Sequence, residues 1–307
     1  MERLLAQFAA LADPSRLRIL LLVRDVDLAM GELAEVLRQS QPRVSRHVRI
    51  LAEAGLVRRQ KEGAYAFVGR ARTAESEAVH ALIDAALAGR DPIAAERAHL
   101  ADVRAARQKA LDRWFADHAA EWDLMRNLEA PAAAVEAALV EVAGARGVGR
   151  LLDIGTGTGR ILELLGPGAE AATGIDRSPE MLRIARTRLD SAGLSGVEIR
   201  QADMAALPFA QAAFDTVVIH QVLHFSEDPA QALREAARVL APGGQLLVVD
   251  YAPHSEEELR ARYRHARLGF AREALAAQME SAGLAVGTIR QIEGPRLAVL
   301  LWQGLKP

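Results

Sequence analysis

The sequence predicts a multidomain chain: a small α+β domain followed by an α/β domain built on a mostly parallel sheet. Three observations predict it. The chain has 307 residues, enough for two domains of ordinary size. Residues 1–72 read as short helices followed by a hairpin, whereas residues 148–307 alternate apolar runs with amphipathic helices. Charge divides the same way: residues 1–72 carry 13 Arg+Lys against 8 Asp+Glu, and the remainder 25 against 32. A basic domain on an otherwise acidic chain points to a polyanion partner for the first region. The expected boundaries are 1–90 for the first domain, 91–147 for a helical connector and 148–307 for the second domain.

Composition narrows the chemistry. Half the residues are hydrophobic and a quarter are charged, as in globular cores. There is no cysteine, which removes disulfides, Cys-ligated zinc and thiol nucleophiles. The opening stretch MERLLAQFAALADPSRLRIL is interrupted by Asp13-Pro14 and arginines and does not read as a signal peptide. No run of 18 apolar residues occurs, so no membrane partner is expected and the expected location is cytoplasmic.

In the first region, GELAEVLRQSQPRVSRHVRILAEAGLV reads as two helices around a tight connection. Leu33, Ala34 and Leu37 share a face of the first. Ser40 stands where it can cap the second, and Pro42 suits a first helical turn. Val44, Val48 and Leu51 form its core stripe, and Gly55 ends it. The opposite side presents Gln41, Arg43, Arg46 and Arg49, with Ser45 and His47 towards the flanks. Arginine can bond guanine in two places, and glutamine adenine, so this face suits the major groove of double-stranded DNA. Two strands follow, Leu56–Gln60 and Ala64–Val68, around a Lys61-Glu62-Gly63 turn. They form a wing whose Arg58, Arg59 and Lys61 can rest on phosphates.

The stretch LADPSRLRILLLV, this helix pair and the basic hairpin together resemble the winged helix-turn-helix repressors of the ArsR/SmtB family over about the first 90 residues. The resemblance implies operator binding as a homodimer, with residues 1–12 and 75–87 supplying the dimer surface. Many members respond to metals held by cysteines or His/acid clusters. This chain has only His80 with Glu77 and Asp84 in the matching helix, so no metal site is assigned and the signal is expected to enter elsewhere.

The α/β region opens on LLDIGTGTGR. Leu151–Ile154 reads as a buried strand that ends at three glycines, Gly155, Gly157 and Gly159. A helix follows. Glycines there let a ligand approach the backbone closely. About twenty residues on, AATGID ends a second strand at Asp176, placed to accept both ribose hydroxyls of a nucleotide. A dinucleotide loop would need glycine where Arg160 stands, and a P-loop would need Gly-Lys-Ser/Thr; both patterns are missing, and the first removes a dehydrogenase. Asp153 lies at the strand end, where a carboxylate can reach the loop amides or a ligand ammonium. VEIRQADMAALPF is a third strand ending at Asp203 and Met204, an acid and an apolar cover suited to an adenine edge and ring. FDTVVIHQVLHF gives a fourth strand, PAQALREAARVLAPGGQLLVVD a helix and a fifth, and AVGTIRQIEGPRLAVLLWQGL two more around Gly294-Pro295.

Taken in order, these motifs resemble the class I S-adenosylmethionine-dependent methyltransferases near the ubiquinone and menaquinone methyltransferases (methyltransferase type 11), over about residues 110–307. The resemblance implies a Rossmann-like seven-stranded sheet of order 3-2-1-4-5-7-6. It implies S-adenosylmethionine as cofactor, with S-adenosylhomocysteine as product or effector, held by Asp153, Gly155, Gly157, Gly159, Asp176, Arg177, Asp203, Met204 and His220. Methyl transfer needs an acceptor held in line and, where the acceptor must lose a proton, a base. The loops after strands four and five offer His220, Gln221, His224, Tyr251 and His254. His224 is the first choice, with His220 and Tyr251 beside it.

The connector stretch AERAHLADVRAARQKALDRWFADHAAEWDLM reads as one or two amphipathic helices. The resemblance implies a pocket roof from Trp114, Phe115 and Trp122; a spacer or dimer contact fits the same pattern. The expected function is a DNA-binding transcriptional repressor whose second domain senses S-adenosylmethionine or S-adenosylhomocysteine. The alternative is a working small-molecule methyltransferase whose DNA-binding domain controls its own operon.

Overall fold

The computed structural model describes residues 2–24, 26–62, 65–119, 132–194, 196–294 and 296–307. The chain forms two compact units, residues 1–108 and 109–307. The division falls inside a long helix, α6 (Ala94–His118).

In the first unit, α1 (Glu2–Leu11) and α2 (Pro14–Leu22) precede a short strand β1 (Leu28–Ala29), α3 (Met30–Val36) and α4 (Gln41–Glu53). A hairpin follows, β2 (Val57–Glu62) and β3 (Tyr65–Arg70), then α5 (Ala74–Ala86). The sequence LADPS starts α2 by local chemistry. Asp13 Oδ1 accepts from the Arg16 amide at 3.0 Å, and Pro14 occupies a first-turn position that needs no donor. Ile19, Leu28, Leu33, Val44, Val48, Leu51 and Leu56 bury fully into one core. Glu32 is buried with them. Its carboxylate accepts from the Ala29 amide at 3.3 Å and from Arg104 of α6 at 3.1 Å.

The expected helix pair and hairpin form in outline, with two corrections. Ser40 occupies the cap position of α4, but its side chain makes no capping bond. The hairpin strands run longer than expected, so that Lys61 pairs with Ala66 and Glu62 with Tyr65 inside the ladder. Gly63 and Ala64 lie outside the described residues.

The second unit contains α7 (Ala132–Gly144), β4 (Gly149–Ile154), α8 (Arg160–Leu165), β5 (Ala169–Asp176), α9 (Pro179–Ser191), β6 (Glu198–Gln201) and β7 (Phe214–His220). It continues through α10 (Pro229–Val239), β8 (Leu240–Tyr251), α11 (Glu257–Tyr263), α12 (Arg272–Ser281), β9 (Ala285–Ile292) and β10 (Val299–Leu305). The sheet order is β6-β5-β4-β7-β8-β10-β9, which is 3-2-1-4-5-7-6 when the strands are counted from β4. The first five strands are parallel, and β10 runs antiparallel to both β8 and β9.

Strand alternation makes two cores. Leu152, Ile154, Val217, Ile219, Leu246, Val248 and Trp302 face α10 and α12, while Leu151, Val218, Leu247, Val249 and Leu301 face α7 and α8. A sheet buried on both sides explains why these strands read as continuous apolar runs. The arrangement leaves the carboxyl ends of β4, β5, β7 and β8 open to form a site.

Candidate functional site

The first unit presents a basic helix. Gln41, Arg43, Arg46 and Arg49 are exposed on α4, and Ser45 is half-buried at their edge. His47 is turned inward, not towards a flank: it is buried, with Nδ1 3.9 Å from Asp13 Oδ1. Burial pushes its imidazole below the ordinary histidine value, as do Arg16, Arg43 and Arg46, against an opposing pull from Asp13. On the wing, Arg59 and Lys61 are exposed on one side of β2. Arg58, on the other, is held by the Asp27 carboxylate and by Gln60 Oε1 at 3.2 Å. Gly69 makes room for this pair, because a Cβ there would sit 1.8 Å from Asp27 Oδ1. Arg59 and Lys61 are therefore the exposed basic side chains of β2, with Arg58 already paired. His80 is buried in α5, and Asp84 pairs with Arg24 at 2.6 Å. Among the described residues, no group of three or more His, Asp or Glu is placed to hold a metal.

In the second unit, the loop after β4 carries three left-handed glycines: Gly155 at φ +72°, Gly157 at +53° and Gly159 at +85°. Only glycine adopts such a run without strain. The amides of Gly155 and Thr156 both donate to Ile175 O at 2.8 Å, and the Gly157 amide donates to Asp176 Oδ2 at 2.9 Å. The loop is thus moulded onto the end of β5, and these three amides are committed there. The Cβ positions of Gly155 and Gly159 face Val222 and Ala185, so these glycines let the loop pack closely on its neighbours.

Asp176 also accepts from the Ser178 amide through Oδ1 at 2.9 Å. Burial raises its carboxyl above the ordinary value, while the amides of Ser178, Gly157 and Arg177 oppose that rise. Asp153 is buried in β4, in register with Gly174 and Val218. Arg177 bridges two acids, Asp203 and Asp112, the latter at 3.4 Å. Asp203 Oδ1 accepts from the Ala205 amide at 2.9 Å, and Met204 packs half-buried against the core. Arg160 points its guanidinium at Glu136 and Glu163, with contacts of 2.7–2.9 Å, and so ties α8 to α7.

The group here that fits S-adenosylmethionine is the acid at the end of β5, an acceptor of the kind its ribose hydroxyls need. Thr156 Oγ1, beside the loop, is buried with no hydrogen-bond partner among the described residues. Gly155 itself serves packing, since a Cβ there would collide with Val222 of the turn after β7. Asp176 accepts from the amides of Gly157, Ser178 and Arg177, and its two oxygens have lone-pair capacity beyond these bonds.

The loops after β7 and β8 gather the remaining candidates. His220 closes β7, buried, opposite Val249 of β8. His224 is buried and lies 2.7 Å through Nδ1 from Asp250 Oδ1, an acid the sequence reading did not select. Tyr251 is buried at the end of β8, with its ring 5.1 Å from that of His224. Beyond α6's midpoint, Trp114 stacks on His118 at 4.5 Å and meets Tyr263 edge-on at 6.2 Å, and Phe115 meets Phe225 at 4.9 Å. Trp114 and Phe115 therefore cover the β7 loop and α11 as a roof would. Trp122 lies outside the described residues.

His254 and His265 stay neutral in this setting. Burial pushes His254 down to about 4, and pushes His265 well below the ordinary value. Between 6.5 and about 4 the unfolded chain binds a proton at His254 that the folded chain refuses, so stability rises with pH there. The contribution is complete above 6.5 and is lost as pH falls towards 4. Thermal denaturation of the second unit should show Tm dropping across this window, and a His254→Asn/His265→Asn variant should flatten that slope.

A winged helix-turn-helix domain and a class I methyltransferase domain are the two classes that fold and site define. Residues 13–59 match the bacterial regulatory protein, arsR family, and residues 152–248 match the methyltransferase domain family. Over 118 residues it is 42% identical to the demethylmenaquinone methyltransferase of Thermus thermophilus, covering 38% of this chain and 53% of that protein. It is 37% identical over 129 residues to the ubiquinone/menaquinone biosynthesis C-methyltransferase UbiE of Pseudomonas paraeruginosa, covering 40% and 50%. The chain thus spans about half the length of these curated relatives. In fold it is similar to a SAM-dependent methyltransferase of Thermotoga maritima, with TM-score 0.52 and 23% identity over 64% of this chain and all of that one. No helix among the described residues is long and apolar enough to cross a membrane.

Proposed function

We propose that the protein is a cytoplasmic, homodimeric transcriptional repressor that binds a double-stranded DNA operator and takes S-adenosylmethionine or S-adenosylhomocysteine as effector. The observation that carries the reading is the pairing, in one chain, of an exposed Gln/Arg face on α4 with a left-handed glycine loop moulded onto Asp176. Arg46, Arg43, Arg49 and Gln41 read bases, Ser45 supports them at the edge, and Arg59 and Lys61 of the wing rest on phosphates. Leu4, Leu5 and Phe8 of α1 and Leu82 of α5 are exposed, a surface suited to a second copy of the chain.

Gly155, Gly157, Gly159 and Asp176 hold the cofactor's ribose and backbone-facing edge. Asp203, Met204 and Arg177 hold the adenine, and Asp153 and His220 hold the methionine end. When bound, S-adenosylmethionine supplies an electrophilic methyl group. The buried His224–Asp250 pair favours a second reading on the same site: the domain also transfers methyl to a small acceptor, and the DNA-binding domain controls its own operon.

Calorimetry with each ligand, followed by operator binding with and without each, tests the proposal. The expected result is binding of both ligands and a changed operator affinity with one of them. Failure of both to bind refutes the cofactor reading, and binding without any change in operator affinity refutes the effector reading. Arg46→Ala should weaken operator binding by about 10–100-fold, from ~1–3 kcal/mol for a bidentate base contact, with S-adenosylhomocysteine affinity retained. An unchanged operator affinity removes Arg46 from the interface.

A further inference from the structure

Asp250 is completely buried, and two backbone amides and the His224 ring converge on it. Its Oδ1 accepts from the Tyr251 amide at 2.8 Å and lies 2.7 Å from His224 Nδ1, and its Oδ2 accepts from the His224 amide at 3.1 Å. Two of these partners are amides, which only donate, so the carboxylate acts as acceptor throughout. The same logic places the proton of a neutral His224 on Nδ1 and leaves the lone pair on Nε2. His224 Nε2 is buried and has no hydrogen-bond partner among the described residues.

The ring cannot swing away easily. The amides of Ala266 and Arg267 both donate to His224 O at 3.0 Å, and the His265 and Phe225 rings lie 4.1 Å from that of His224. Two further histidines and two arginines stand around this pair. His254 and His265 are held neutral by burial, and Arg260 and Arg267 bring positive charge from the segment after β8.

Three residues before His224, on the same turn, stands Gln221. Its φ of +51° is a left-handed conformation that a non-glycine residue adopts at a cost. Its amide donates to Val249 O at 2.7 Å, and its side chain is buried with Nε2 lacking a partner among the described residues. Backbone strain of this kind persists where the surroundings enforce it, often at functional sites. One turn therefore holds a buried, unsatisfied acceptor and a buried, unsatisfied donor, which are the two complements of a hydroxyl group. The walls nearby are aromatic: Phe225, Tyr251 and, against Phe225, Phe115.

Resting on the methyltransferase reading above, we propose that His224 is the catalytic base and Asp250 its positioning residue. The acceptor they serve is a planar molecule with an acidic hydroxyl, a phenol or enol. A neutral amine already offers a lone pair and sheds its proton after transfer, so it gains little from such a base. A neutral hydroxyl must lose its proton as its bond to carbon forms. In the step, the acceptor's O–H proton passes to His224 Nε2 while the oxygen bonds the methyl carbon. The carbon–sulfur bond breaks with its electron pair on sulfur, and the sulfonium becomes a neutral thioether. The resulting imidazolium is paired with Asp250 and returns the proton to solvent.

Absorbance of 4-nitrophenol bound to the full chain in the presence of S-adenosylhomocysteine tests this without turnover. The expected result is the phenolate band at a pH below the phenol's own pKa. The band should disappear in His224→Gln and fall in Asp250→Asn, where the carboxamide no longer fixes the ring tautomer. Calorimetry of each variant with S-adenosylhomocysteine reports whether the fold and cofactor site are intact. Nitrophenol that binds as the neutral phenol, that fails to bind while S-adenosylhomocysteine does, or that remains ionised in His224→Gln overturns the proposal. Absence of S-adenosylhomocysteine binding in the wild-type chain instead overturns the cofactor reading on which it rests.

Discussion

Asp176→Ala is expected to weaken S-adenosylhomocysteine binding by about 10–100-fold, the equivalent of ~1.5–3 kcal/mol for hydrogen bonds to a charged group. Two losses combine. The ribose hydroxyls lose a carboxylate acceptor, and the glycine loop loses the Oδ2 that fixes the Gly157 amide. The second loss separates this site from a simple ligand contact, because Asp176 shapes the loop before any ligand arrives. Asp176→Asn should recover little of the affinity. A carboxamide accepts through one atom only, so its NH2 would face either the Gly157 or the Ser178 amide, donor against donor. Calorimetry on both variants checks this. An asparagine variant of near wild-type affinity would mean that the amides do not converge on both oxygens.

The second domain was legible because a parallel sheet covered on both faces writes itself as short apolar runs. RLLDIG, AATGID, FDTVVIH and QLLVVD each end at the same edge of the sheet, so the sequence alone locates that edge. The strand order came from the resemblance, not from periodicity, and the observed order agrees with it. Asp250 escaped because no local spacing links it to His224. The two stand 26 residues apart and meet only because β7 and β8 run parallel, with His220 opposite Val249. The destination of the loop amides was equally hidden: the glycines announce a bare backbone but not that Ile175 O and Asp176 take its donors.

The first domain divided along the same line. The stripe Val44, Val48, Leu51 predicted which side of α4 is buried, and all three are fully so. A helical period of 3.6 assigns a stripe but leaves the residues at its margin ambiguous, and His47 fell on the buried side beside Asp13. Arg58 differs from Arg59 for a reason the strand pattern supplied only by half. Alternation places them on opposite sides of β2, but the Asp27 that neutralises Arg58 comes from the loop before β1.

Gly155→Ala is expected to destabilise the second domain and loosen its ligand together. At φ +72° a Cβ costs about 1–2 kcal/mol for left-handed backbone alone. That Cβ would also lie 2.6–2.9 Å from Val222 Cγ2, Cγ1 and Cβ, an overpacking that costs ~1–3 kcal/mol in a filled core. Val222 sits directly after Gln221 and two residues before His224, so displacing it moves the turn that carries both. The two costs can be separated. Val222→Ala added to Gly155→Ala should relieve the clash but leave the left-handed penalty, so the double variant should be more stable than the sum of the single changes. Chemical denaturation of the four members of this cycle measures that coupling, and S-adenosylhomocysteine affinity should recover in step with it. Strict additivity would mean that Gly155 and Val222 do not press on one another, and the glycine would then be needed for its backbone angle alone.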